Sequence, residues 1–111
     1  HDAPRIQTFN LSLISCQVGN DSSGKCPEDF TEQFRLAFQN IEAVLVEAGG
    51  DLSNLVEFTS YHIGMREHLR EFIAVKDEMV SEPYPAWTAI GCTELAMPGA
   101  VVEIRAQAVL G

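Results

Sequence analysis

The chain reads as an α+β domain: a mixed sheet of five or six strands with two helices packed on one of its faces. Three patterns carry that reading. Val102, Ile104, Ala106, Ala108 and Leu110 alternate with Glu103, Arg105 and Gln107, the period-two signature of a strand with one buried face. Phe34, Ala37, Phe38, Ile41, Val44, Leu45 and Ala48 recur at helical spacing and stop at Gly49-Gly50, as an amphipathic helix does. The order along the chain is strand, strand, helix, strand, helix, strand, strand, which suits a sheet with helices gathered on one side.

Taken in order, residues 5 to 18 alternate as two runs, Arg5 to Phe9 and Leu11 to Val18, with only Asn10 between them. Either one long strand stands here in place of a hairpin or, since a hairpin needs at least about two turn residues, residues are missing between Asn10 and Leu11, and the second is expected. Gly19 to Pro27 is rich in Asn, Asp, Ser and Gly, the chemistry of a turn. Asp29 or Thr31 then caps the first helix. Leu55 to Ile63 is a strand with Val56 and Phe58 on one face and Leu55, Tyr61 and Ile63 on the other. After Gly64 a second helix runs from Met65 or Arg66 to Val80. Leu69, Phe72, Ile73, Lys76 and Val80 mark one side of it, while Arg66, Glu67, Arg70 and Glu71 mark a solvated side. His68 is expected to be exposed. Pro83 and Pro85 close this helix and lead into a strand in which Trp87, Ala89, Gly91 and Thr93 share a face, opposite Thr88, Ile90 and Cys92. Met97-Pro98-Gly99 turns the chain into the last strand.

Residues 1–111 suffice for one domain with one core. Apolar residues make up 46% and charged residues 21%, an ordinary globular composition. A formal charge of −9, with seven Lys and Arg, repels phosphate backbones, so nucleic acid is not the expected partner. No apolar run approaches the ~20 residues of a membrane span, and no basic, apolar leader is visible. A cytoplasmic protein is expected, although a chain that starts without Met reads as trimmed or incomplete. Cys16, Cys26 and Cys92 are odd in number and lack a Cys-x-x-Cys pair, which argues against a disulfide framework or a zinc site. Cys16 and Cys92 fall in strand patterns, as buried thiols do; Cys26, in a loop before Pro27, is the thiol expected to be most reactive. His62 has no Cys or Asp at ligand spacing and reads as structural.

The stretch from Pro83 to Val109 holds the single Trp and three of the five prolines. A bulky indole, two small residues beside it and the Glu103 carboxylate on a neighbouring segment are the makings of a small-molecule pocket. From spacing alone, the favoured reading is Trp87 as core and Glu103 with Arg105 on a solvated face.

Three blocks, in order, resemble the RidA/YjgF family, also called Rid or UK114. Pro85-Ala86-Trp87-Thr88-Ala89 followed by Val102-Glu103-Ile104-Arg105 is similar to its closing block, Pro-Ala-Arg-Ser and then Val-Glu-Ile-Glu. Ile14-Ser15-Cys16-Gln17-Val18-Gly19 is similar to its Ser-Gly-Gln-Val-Gly strand end. Gln39-Asn40-Ile41 with Ala48-Gly49 is similar to its first helix. The resemblance spans roughly residues 11 to 110, and the wording around Trp87 and Val75-Lys76 is most similar to the YjgH branch.

The resemblance implies a Bacillus chorismate mutase-like fold, a homotrimer built around a barrel, and a small-molecule ligand at each subunit junction. Two helices can cover only one face of such a sheet, so self-association is also what the doubly apolar Leu55 to Ile63 strand asks for. The implied activity is hydrolysis of reactive enamines or imines, without a cofactor or metal, with Glu103 holding the attacking water. The implied substrate-binding positions are Trp87, Arg105, Ala89, Ser15, Cys16 and Lys76. Several of them depart from the family. Trp87 stands where the deaminases carry an arginine that grips a substrate carboxylate, Arg105 replaces the second Glu, Ala89 replaces a cysteine and Lys76 an asparagine. Arg105 either takes over the carboxylate or pairs with Glu103. The alternative is a trimeric metabolite-binding protein without turnover; endoribonuclease or translation-inhibitor activity, older labels for the family, is disfavoured by the charge.

Overall fold

A computed structural model describes residues 10–110, and of residues 10–13, 15 and 16 it describes the backbone alone. In chain order the elements are β1 (Asn10–Val18), α1 (Phe30–Glu47), a short 3-10 turn (Leu52–Asn54), β2 (Leu55–Ile63), α2 (Met65–Met79), β3 (Ala86–Cys92) and β4 (Val102–Leu110). Asp29 is the cap of α1, its carboxylate accepting from the Thr31 N–H at 3.3 Å. Gly49, at φ 93°, takes the left-handed conformation that ends the helix.

The strands form one sheet in the order β1-β4-β2-β3. β4 lies antiparallel to both β1 and β2, while β2 and β3 are parallel, as strands joined by a crossover helix must be. Among the described residues the sheet has four strands rather than the expected five or six. The Arg5 to Phe9 run lies outside them, and residues 10 to 18 form one continuous strand.

Both helices pack on one face. Val102, Ile104, Ala106 and Ala108 are buried there beneath Phe34, Phe38, Ile41 and Leu45 of α1 and Phe72 and Val75 of α2. The aromatic rings interlock edge to face: Phe34 meets Phe72 at 5.3 Å and Phe38 meets Phe58 at 5.7 Å, an arrangement that adds to simple burial. The alternation in β4 therefore reads through directly.

Two expectations fail locally. The register shifts between Leu55 and Glu57, and this irregularity buries Leu55 with Phe58 while turning Val56 outward. Strict alternation had put Val56 with Phe58, and a bulge breaks it. His68, read as exposed, is buried against Phe30 and Phe34 of α1, because α1 covers that flank of α2.

The loops are tied down by Gln33. Its amide N–H groups donate to the carbonyls of Pro27 and Gly99, both at 2.8 Å, and its carbonyl accepts from the Val101 N–H at 3.0 Å. One buried side chain thus fixes the loop before α1 to the loop before β4. Gly19 lets the end of β1 lie close against α1, since a Cβ there would stand 2.0 Å from the main-chain carbonyl oxygen of Gln33.

Candidate functional site

Cross-strand pairing decides which site residues can meet. Phe58 pairs with Trp87, Ser60 with Ala89 and His62 with Gly91; the same three residues of β2 pair with Ala106, Ile104 and Val102 of β4. All of these lie on the helix-covered face. Tyr61 pairs with Glu103, Thr59 with Arg105 and Tyr61 also with Ile90, so Glu103 and Arg105 lie on the open face. Within one chain Trp87 and Glu103 are therefore on opposite sides of the sheet, with β2 between their strands.

Trp87 is half-buried at the β3 edge, its ring 6.1 Å from Phe58 and 5.6 Å from Phe72. Lys76 comes up to it from α2: the ammonium sits 5.2 Å from the Trp87 ring and 5.3 Å from that of Tyr84, within cation–π range of both. Its ion-pair partner is Asp77 at 2.9 Å, half-exposed and next in sequence. Ala89 lies one pair further along the edge. Trp87, Lys76 and Ala89 thus form one group, and Glu103 with Arg105 a second. The ion pairs among the described residues do not include one between Arg105 and Glu103. The side chains of Ser15 and Cys16 lie outside the described residues.

Beneath Trp87 runs a feature that residue-by-residue reading missed. The indole Nε1–H donates to Ser60 Oγ at 2.8 Å. Ser60 Oγ lies 2.7 Å from His62 Nε2, and His62 Nδ1 lies 3.3 Å from His68 Nε2. Ser60 and His62 are fully buried and His68 nearly so. Burial, and then the neighbouring His68, hold the His62 pKa down to about 4. Burial lowers His68 as well, against the opposing pull of Glu71 and Glu67. A signal existed in the sequence: Ser60 and His62 continue the Phe58 face of β2, two polar residues in a core row.

His62 also walls a cleft of about 440 Å³ at the carboxyl ends of β2 and β3, with Met65, Arg66, Gly91, Cys92 and Thr93. Neither Trp87, Lys76 nor Glu103 lines it. Cys26, expected to be the reactive thiol, has its pKa pushed up by burial and by Asp21, which disfavours the thiolate. No helix among the described residues is long and apolar enough to cross a membrane.

Among the described residues the chain is an α+β protein with two helices on one face of its sheet and the predicted site residues divided between the two faces. The Endoribonuclease L-PSP family model matches residues 3–110, and the chain belongs to that RidA/YjgF/RutC family. The RutC family protein YjgH of Escherichia coli (strain K12) is 39% identical over 92 residues, 82% of this chain and 70% of that protein. A solved structure of protein YjgH superposes with a TM-score of 0.84 at 36% identity, covering 94% of this chain and 79% of that one. RidA from the Antarctic bacterium Psychrobacter sp. PAMC 21119 gives 0.86 at 31% identity, over 95% and 85%.

Proposed function

We propose that this chain hydrolyses the C=N bond of a small imine, or of an enamine through its imine tautomer, at sites formed where copies of the chain meet as a homotrimer. The observation that carries the reading is the division of the site residues. The Trp87, Lys76 and Ala89 edge and the Glu103 face cannot serve one substrate within one chain, but an edge set against a neighbour's open face would unite them. Tyr61, Ile63 and Ile90 give that open face an apolar surface, with Ile90 41% exposed, as an unpartnered interface has.

In the reaction, Glu103 accepts a proton from water as the water oxygen bonds to the imine carbon and the π pair moves to nitrogen. That nitrogen is protonated to give the carbinolamine; Glu103 then passes a proton to the amino group, the C–N bond breaks as the oxygen lone pair forms the carbonyl, the hydroxyl proton returns to the carboxylate or solvent, and ammonia leaves. Since the imine carbon is already electrophilic, a positioned carboxylate is sufficient as general base. Lys76, held against two rings, supplies a point charge for a substrate carboxylate in place of the bidentate grip an arginine at position 87 would give; Arg105 supplies a second cation beside Glu103. With a net charge of −9, the ribonuclease activity in the family's description is the less favoured reading.

The test is to generate 2-aminoacrylate with a dehydratase and follow ammonia release with and without the protein. Release above the uncatalysed rate is expected, falling about 10²- to 10⁴-fold in Glu103→Gln. Release no faster than without protein would overturn imine hydrolysis of this substrate class in favour of ligand binding without turnover.

A further inference from the structure

We propose that Ser60, His62 and His68 are positioning residues for Trp87, a buried hydrogen-bond relay that sets the orientation of the indole and so of the ring face on which Lys76 rests.

The relay's polarity follows from the donor inventory. An indole Nε1–H can only donate, so the bond at 2.8 Å occupies a lone pair of Ser60 Oγ. Ser60 is fully buried, and a buried hydroxyl hydrogen needs an acceptor. The acceptor within reach is His62 Nε2 at 2.7 Å. His62 then carries its proton on Nδ1 and donates to His68 Nε2 at 3.3 Å. His68 in turn carries its proton on Nδ1, which is buried without a partner among the described residues.

Three hydrogen bonds thus run in one direction from the sheet edge to the α1–α2 contact, and they end on an unsatisfied donor. Leaving such a group unpaired is destabilising, a cost that a purely apolar residue at position 68 would avoid. Packing alone gives no reason for it. His68 makes ring contacts with Phe30, Phe34 and His62 and none with Trp87, so its influence on the indole passes through the relay. Both histidines are neutral at neutral pH because burial lowers their pKa values, and a neutral imidazole is what lets each ring donate on one side and accept on the other. The consequence for ligand binding rests on the proposed role of the Trp87 and Lys76 edge; the relay itself does not.

The chain's single Trp supplies a single indole N–H resonance in a proton–nitrogen correlation spectrum of the full chain. Ser60→Ala should move that resonance upfield and speed its exchange with solvent. His68→Phe keeps a ring in the same space and removes both nitrogens; a shift of the indole resonance is again expected. A wild-type indole resonance in folded His68→Phe would overturn the relay and leave His68 a packing residue. Imidazole nitrogen shifts of the wild-type chain give a reading that needs no variant: both histidines protonated on Nδ1, with a proton on His62 Nε2 overturning the polarity. Where 2-aminoacrylate turnover is measurable, Ser60→Ala should raise KM roughly two- to tenfold, the loss of one neutral hydrogen bond, with kcat little changed. Absence of turnover in the wild type would count against the hydrolase reading and leave the spectral tests intact.

Discussion

A histidine in a core row stays there only by giving up its charge, and His62 does so with a pKa held at about 4 by burial and by His68. An unfolded histidine titrates near 6.5. Between these values the unfolded chain binds the extra proton and the folded chain does not, so stability falls as pH falls. The contribution is complete above about pH 6.5 and lost on acidification toward about pH 4, to a total of about 3 kcal/mol. His68 shifts in the same direction, moderated by Glu71 and Glu67. Urea unfolding of the wild type and of His62→Gln across that window checks this: the wild type should lose stability more steeply, so the gap between the two narrows with acid. Parallel curves would mean that His62 titrates alike in both states. Single residues were also where the sequence misled. His68 sits among the exposed Glu67, Arg70 and Glu71, and the signal that outweighs them is its place four residues before Phe72 and seven before Val75, on the buried face of α2.

Elements were far more legible than their mutual placement. The 3.6-residue and two-residue periods reflect burial against any core, so α1, α2, β2 and β4 follow from the sequence, and the comparison with known structures bears out the α+β class with two helices. Strand order is not written in those periods. β3 and β4 are consecutive in the chain, and Trp87 and Glu103 read as neighbours; yet β2 lies between them, and their residues face opposite ways. The loops before α1 and β4 are joined by a polar clamp that no periodicity reveals. Gln33 satisfies Pro27, Gly99 and Val101 at once, and Gly19 leaves room for it. Gln33→Leu strands two carbonyls and one N–H in a partly buried setting and should cost about 3 kcal/mol, with faster amide exchange at Val101. Gly19→Ala should be destabilising in the same direction, because the Gln33 backbone cannot move without shifting α1. Urea midpoints of the two variants within experimental error of wild type would mean the loops are held by other contacts.

At the scale of the whole molecule the described residues give the sheet one face under helices and one without cover, and the candidate site is split along that same division. A residue pair separated by a sheet cannot act on one small molecule unless a second copy turns its other face toward the first. Complementation tests this directly. Lys76→Ala removes the cation at the edge and Glu103→Gln removes the base on the open face, so each should be weakly active alone. Co-expressed in equal amounts, they form mixed assemblies in which about one junction in four joins an intact edge to an intact open face, if edge and face come from adjacent subunits of a ring. Ammonia release from 2-aminoacrylate should then recover to about a quarter of wild type, whereas a site contained in one chain would recover nothing. Ile90→Asp is the control on assembly: a carboxylate on the open face beside Tyr61 should reduce the light-scattering mass toward that of one chain and abolish the recovery. Activity of the mixed assemblies no higher than that of the separate variants would place edge and acid in one subunit and refute the division on which the proposed chemistry depends.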